Sequence, residues 1–179
     1  MFDAWEFWLF VAISVFWTVG AYRRLVDLRS QVTRQFAVLE DMMLRYQGLV
    51  QDATTAAVTA PSGWQTAVAP ELGAGHWTRL QVAAGLSTVA LARMQSHTLE
   101  EDSAQALHDA AAELQDAWAA LIHPDVYYIN IPQNLKQRWL ELDLLVQPEL
   151  GRFNAAIAEY NAVRERNEQS KQQFAELVK

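Results

Sequence analysis

The chain contains no cysteine, which excludes disulfides, a thiolate nucleophile and Cys-ligated zinc. It is also short of base: 14 Lys and Arg stand against 21 Asp and Glu, a formal net charge of −7. Phosphate backbones need a basic field, so the balance argues against nucleic acid as a general partner. The 4 histidines (His76, His97, His108, His123) form no HxxxH or HExxH pair, and no Glu has a His three residues later. Helical metal-ligand spacing is therefore absent, including the Glu-x-x-His of di-iron bundles. Gly73-Ala74-Gly75 follows no strand pattern and precedes no Lys-Ser/Thr, so it is no phosphate loop. A GxSxG elbow does not occur, and His123 near Asp125 is too generic to assign as an acid-base pair. The expectation is a non-enzyme with no cofactor and no metal.

Abundance lies elsewhere. Among 179 residues there are 7 tryptophans, and three of them, Trp5, Trp8 and Trp17, fall in the first seventeen positions. No residue from Phe7 to Tyr22 is charged. At 1.5 Å per residue, Trp5 to Tyr22 covers about 26 Å, just enough for a hydrocarbon core of roughly 30 Å when the ends are anchored. Trp5 and Trp8 at one end, with Trp17 and Tyr22 at the other, stand where amphipathic rings settle at membrane interfaces. Other readings are a cleaved signal peptide and a buried core helix. Asp3 and Glu6 replace a signal peptide's basic start, although Val19-Gly20-Ala21 has the form of a cleavage site. A small core would have to cover three tryptophans on an all-round apolar helix, and an interfacial helix needs a polar face that is missing. The pattern predicts a single-pass span. Arg23, Arg24 and Arg29 follow it directly, so the positive-inside rule puts the N-terminus outside and the remainder in the cytoplasm.

Beyond the span, Leu25, Leu28, Val32, Phe36, Leu39, Met43, Tyr46 and Val50 alternate at three and four, a narrow coiled-coil-like seam. A second helix carries Leu80, Leu86, Val89 and Met94 among alanines. Thr98-x-x-Glu101 has capping-box form. Leu107, Leu114 and Leu121 then recur every heptad, with Ala110, Ala111, Ala117 and Trp118 on the same face. A last stripe runs through Leu135, Trp139, Leu142, Val146, Leu150, Phe153, Ile157, Tyr160 and Val163, with Pro148 inside it predicting a kink. The expected fold is all-α. Residues 1–22 form a transmembrane anchor continuous with an antiparallel four-helix bundle, 23–179, whose first and last helices are long. Helices are expected at about 23–52, 77–97, 99–122 and 133–172, joined by a Pro/Gly-rich connection, 53–76, with a short helical turn near Trp64 to Val68, and by an extended loop, 123–132.

Two aromatic-Asn pairs one heptad apart, Phe153-Asn154 and Tyr160-Asn161, lie on the last stripe. The rings fit heptad packing. Asn154 and Asn161 sit off its centre and are candidate polar contacts to a neighbouring helix.

Three segments together resemble the LemA family of bacterial membrane-anchored helical proteins. Tyr22 to Val32 is similar to the family's Tyr-x-x-Leu-Val-x-Leu-Arg-x-x-Val opening of the first bundle helix. Pro132-x-x-Leu135-Lys136 is similar to its Pro-x-Leu-Lys entry to the last helix, and the aromatic-Asn repeat to a segment near its C-terminus. Asp143-Leu144-Leu145-Val146 stands where the family has Glu-Asn-Arg-Ile, and residues 53–131 match nothing in it. The resemblance implies a cytoplasmic four-helix bundle behind one span in a bacterial cell membrane, and no known reaction. Three functions compete: a scaffold or interaction protein that self-associates or holds another membrane-associated protein; a sensory or ligand-binding bundle signalling through its anchor; and, least supported by the residues, an enzyme.

Overall fold

The computed structural model describes residues 4–59, 70–123, 126, 129 and 131–177; within them the side chains of 4, 6–7, 9–15, 17–18, 21, 58–59, 70–73, 171 and 174–177 lie outside the description. Four helices and no strand occur among the described residues: α1 (Ala4–Thr59), α2 (Pro70–Ser96), α3 (Glu101–Leu121) and α4 (Gln133–Leu177). The fold is an all-helical bundle. Its neighbours are antiparallel, since contacts rise along one helix as they fall along the next. Phe36, Tyr46 and Asp52 of α1 meet Phe153, Asp143 and Arg138 of α4, and Arg79 of α2 meets Glu113 of α3. α1 packs closely along α4, and α2 along α3; the α1–α2 and α3–α4 seams that close the ring are more open.

The heptad stripes of α1, α3 and α4 are the core. Val32, Leu39, Met43, Leu107, Leu114, Leu121, Val146, Phe153 and Ile157 are at most 1% exposed. Each buried aliphatic side chain contributes about 1.5–3 kcal/mol relative to exposure, and the small alanines of α3 let Trp118 and Trp139 stack at 4.2 Å, 7° from parallel. In α2, however, Leu86 and Val89 are 51% and 67% exposed. Leu80, Leu91 and Met94 do face the core, and the remaining inward positions are small: Ala83, Ser87 and Ala90. Side-chain size therefore misdirects a reading of this helix, because its larger aliphatic residues lie on both faces.

The connection expected over 53–76 is helical at both ends. α1 extends through Ala53, Thr54 and Thr55, whose hydroxyls bond back to carbonyls four residues earlier, and α2 begins at Pro70, where a missing N–H costs nothing. The helical turn expected near Trp64 to Val68 lies outside the described residues. Thr98 does not cap α3: its hydroxyl reaches back to the Gln95 carbonyl at 3.5 Å, and the N-cap is Glu100, without a side-chain cap bond. The loop expected to be extended instead turns where it is described, with Val126 N–H bonded to His123 and Ile129 N–H to Val126. Ile131 is buried against the core. α4 runs through Pro148 as one element. Pro148 withdraws a donor from the Leu144 carbonyl, and both residues are exposed.

Among the described residues no helix is long and apolar enough to cross a membrane. Most side chains of the expected span, Trp17 included, lie outside that description. α1 itself is one helix of 56 residues, about 84 Å long, and Leu28 is the first of its described residues to be buried.

Candidate functional site

The densest set of side-chain interactions lies where α1, α3 and α4 meet. Asp143 Oδ1 accepts the Tyr46 hydroxyl at 2.9 Å and the Gln115 amide at 2.6 Å. Gln147 donates to Gln115 Oε1 at 2.7 Å. The Tyr46 ring lies 4.7 Å from Trp139, which stacks on Trp118. Helical spacing explains the arrangement. Asp143 and Gln147 are one turn apart on the α3 flank of α4, and Tyr46 projects from the centre of the α1 seam. Burial of the Tyr46 phenol, with the Asp143 carboxylate beside it, pushes its pKa well above the ordinary tyrosine value, against a smaller lowering by Gln115. Tyr46 is thus a neutral donor, and Asp143 an acceptor held in one orientation.

Beside this cluster a groove of about 440 Å³ opens between α3 and α4. Trp118, Trp139, Ile122 and Leu140 form its apolar wall, and Asp143 and Lys136 its polar one. A second groove, about 480 Å³, lies between α1 and α4 along the Arg138–Asp52 ion pair; both partners are half-exposed, so the pair adds little stability. Among the described residues no group of three or more His, Asp or Glu is placed to hold a metal. The α3–α4 groove joins an aromatic wall to an oriented carboxylate. That combination suits recognition of an amphipathic group, and it has no nucleophile paired with a base.

The residues expected to anchor the chain lie at the far end of α1. Trp5, Trp8 and Tyr22 are 64%, 69% and 69% exposed, and Arg23 is exposed. Arg24 reaches Glu159 of α4 at 3.4 Å, both exposed. Asn154 and Asn161 are half-buried on α4. Asn154 Oδ1 is buried without a hydrogen-bond partner, as is His108 Nδ1 on α3. These two residues are each one heptad from the bonded pair Gln115 and Gln147, and a further heptad leads to Glu101 and Asn161. The α3–α4 seam thus repeats polar residues at one register, with the Gln115–Gln147 pair bonded and the His108 and Asn154 atoms unsatisfied. Neither His108 nor Gln115 stands at metal-ligand spacing. Heptad spacing of polar residues on the flanks of the seams was the signal.

No family model matches the chain, and neither the curated proteins nor the solved structures contain a match to it.

Asp143→Leu is expected to cost about 1–3 kcal/mol in urea unfolding, because it strands the Tyr46 and Gln115 donors. Asn154→Leu is expected to be neutral or stabilising in the same assay, since it removes an acceptor that is buried and unpaired. Tyr46 also sets an alkaline limit. Unfolded tyrosine ionises near pH 10, whereas the folded chain keeps the proton. The unfolded state then binds fewer protons and stability falls as pH rises. The stability advantage of wild type over Tyr46→Phe is expected to be full below about pH 10 and to narrow above it, measured by chemical denaturation across pH 8–11.

Proposed function

We propose that the protein is a LemA-like, membrane-anchored helical scaffold or protein-interaction protein. It self-associates or holds another membrane-associated protein, and does no catalysis of its own. The observation that carries this reading is the division of α1. Trp5, Trp8, Phe16 and Tyr22 are 64–82% exposed, while the same unbroken helix enters the core from Leu28 onward. Ala4 to Asp27 is 24 residues of helix, about 36 Å, which is enough to cross a hydrocarbon core of roughly 30 Å. By the positive-inside rule, Arg23, Arg24 and Arg29 support an orientation with the bundle on the cytoplasmic side of a bacterial cell membrane and the N-terminus outside.

The full chain is expected to stay with membranes through a carbonate wash, and Ile13→Arg with Phe16→Arg to release it. Recovery of the unaltered chain in the wash would overturn the anchor. Because the chain has no cysteine, Lys179→Cys supplies one label site. Protection from an impermeant maleimide until lysis is the expected result, and labelling of intact cells would reverse the orientation.

A sensory or ligand-binding bundle is the second reading, favoured by the α3–α4 groove and its Trp118, Trp139 and Asp143 lining. It requires a metabolite from a broad panel to raise the melting temperature of wild type and not of Asp143→Asn; no shift across the panel would remove it.

A further inference from the structure

α1, α3 and α4 each bury a polar atom that has no hydrogen-bond partner: Gln35 Oε1, His108 Nδ1 and Asn154 Oδ1. Register brings the three to one level of the bundle. Gln35 stands eleven residues before Tyr46, and Asn154 eleven after Asp143; Tyr46 and Asp143 are bonded. Eleven residues close about three turns, so on antiparallel helices Gln35 and Asn154 take up the same facing positions. They also adjoin Phe36 and Phe153, whose rings meet at 5.8 Å. His108 and Asn154 in turn lie one heptad from the bonded pair Gln115 and Gln147. The trio therefore repeats, further along the same three helices, the arrangement that converges on Asp143. The difference is in its chemistry. In both amides the oxygen is the buried, unpaired atom, and not the nitrogen. With its proton on Nε2, His108 presents Nδ1 as a third acceptor. The residues one turn to either side of the three include no Lys or Arg, and α3 has none at all. Buried acceptors without donors cost stability, and such groups call for an explanation in a ligand or a function.

We propose that Gln35, His108 and Asn154 form a binding site for a primary ammonium group, either the ammonium ion or the head of a small alkylamine. Donor count selects this ligand. A primary ammonium group carries three donors and no acceptor, one donor for each unpaired atom. A water molecule brings two donors and an acceptor that these atoms cannot use. The trio contains no carboxylate, so it suits a single charge and not a divalent metal ion. A chain of net charge −7 draws cations toward it. Burial of all three atoms restricts the ligand to a compact head. Once bound, that head ties α1, α3 and α4 at a second level, as Asp143 does at the first. The site lies three turns along α4 from Asp143, so it depends neither on the α3–α4 groove nor on the membrane anchor.

Thermal melting of the full chain in non-ionic detergent tests the site, with the chlorides of ammonium, methylammonium, tetramethylammonium, potassium and sodium at matched ionic strength. Ammonium or methylammonium is expected to raise the midpoint by about 3 °C or more over sodium. Tetramethylammonium and potassium, which carry no N–H, are expected to match sodium. A shift with methylammonium assigns the site to amine heads, and a shift with ammonium alone confines it to the free ion. No shift with either, or an equal shift with potassium, would overturn the proposal. Gln35→Leu and Asn154→Leu are expected to remove the shift; a full shift in Asn154→Leu would sink the idea. The His108 ring supplies a readout that needs no variant. Its NMR signals in wild type are expected to move saturably with ammonium or methylammonium and to stay fixed with sodium; signals indifferent to all the cations would count against the site equally.

Discussion

One carboxylate oxygen, Asp143 Oδ1, ties three of the four helices together. It takes a donor from α1 and a donor from α3 while standing on α4. Heptad seams tolerate slippage, because apolar knobs of similar size exchange holes at modest cost. A half-buried acceptor with two fixed donors does not tolerate it, since a slipped register leaves polar groups unpaired out of water. The tryptophan stack and the Tyr46–Trp139 ring contact lie against the same point. Register, aromatic packing and the shape of the α3–α4 groove thus depend on one interaction.

That dependence explains the unequal seams. The α1–α4 and α2–α3 pairs are joined by long apolar contacts. The α3–α4 seam repeats polar side chains at heptad spacing, and is as open as the α1–α2 seam. Gln115 and Gln147 complete a bond. His108 and Asn154, one heptad away, bury atoms with no partner. The seam bonds its polar groups at Gln115 and Gln147 and leaves the His108 and Asn154 atoms unsatisfied.

Two helices carry more apolar surface than the bundle uses. α1 leaves Trp5, Trp8, Phe16 and Tyr22 exposed before entering the core. α2 leaves an uncharged heptad seam facing outward. The two surfaces are chemically unlike. The first is large, aromatic and flanked by arginines, suited to a lipid interface. The second is narrow and small-residue rich, suited to another helix.

Much of the architecture was legible from period alone. Val32, Leu39, Met43, Leu107, Leu114, Leu121, Val146 and Phe153 announce their burial through strict alternation at three and four, a property of helical geometry that needs no partner to be read. α2 was not legible this way. Half of its buried residues are small, its outward ones include Val82, Leu86 and Val89, and only packing against the rest of the bundle decides which face is inside. Thr98 resembled a cap in sequence, but capping depends on the path of the turn before α3. Asp143 was visible only as a departure from a family pattern, because its role requires Tyr46 and Gln115, distant in sequence, to converge on one oxygen. The aromatic-Asn repeat divides along the same line. Its rings were assigned by local spacing, whereas the place of Asn154 opposite His108 follows from the register of α3 against α4. Local periodicity determined the elements and most of the core; the convergence of polar groups from separate helices, and the face that α2 turns outward, were decided by tertiary packing, which no local period encodes.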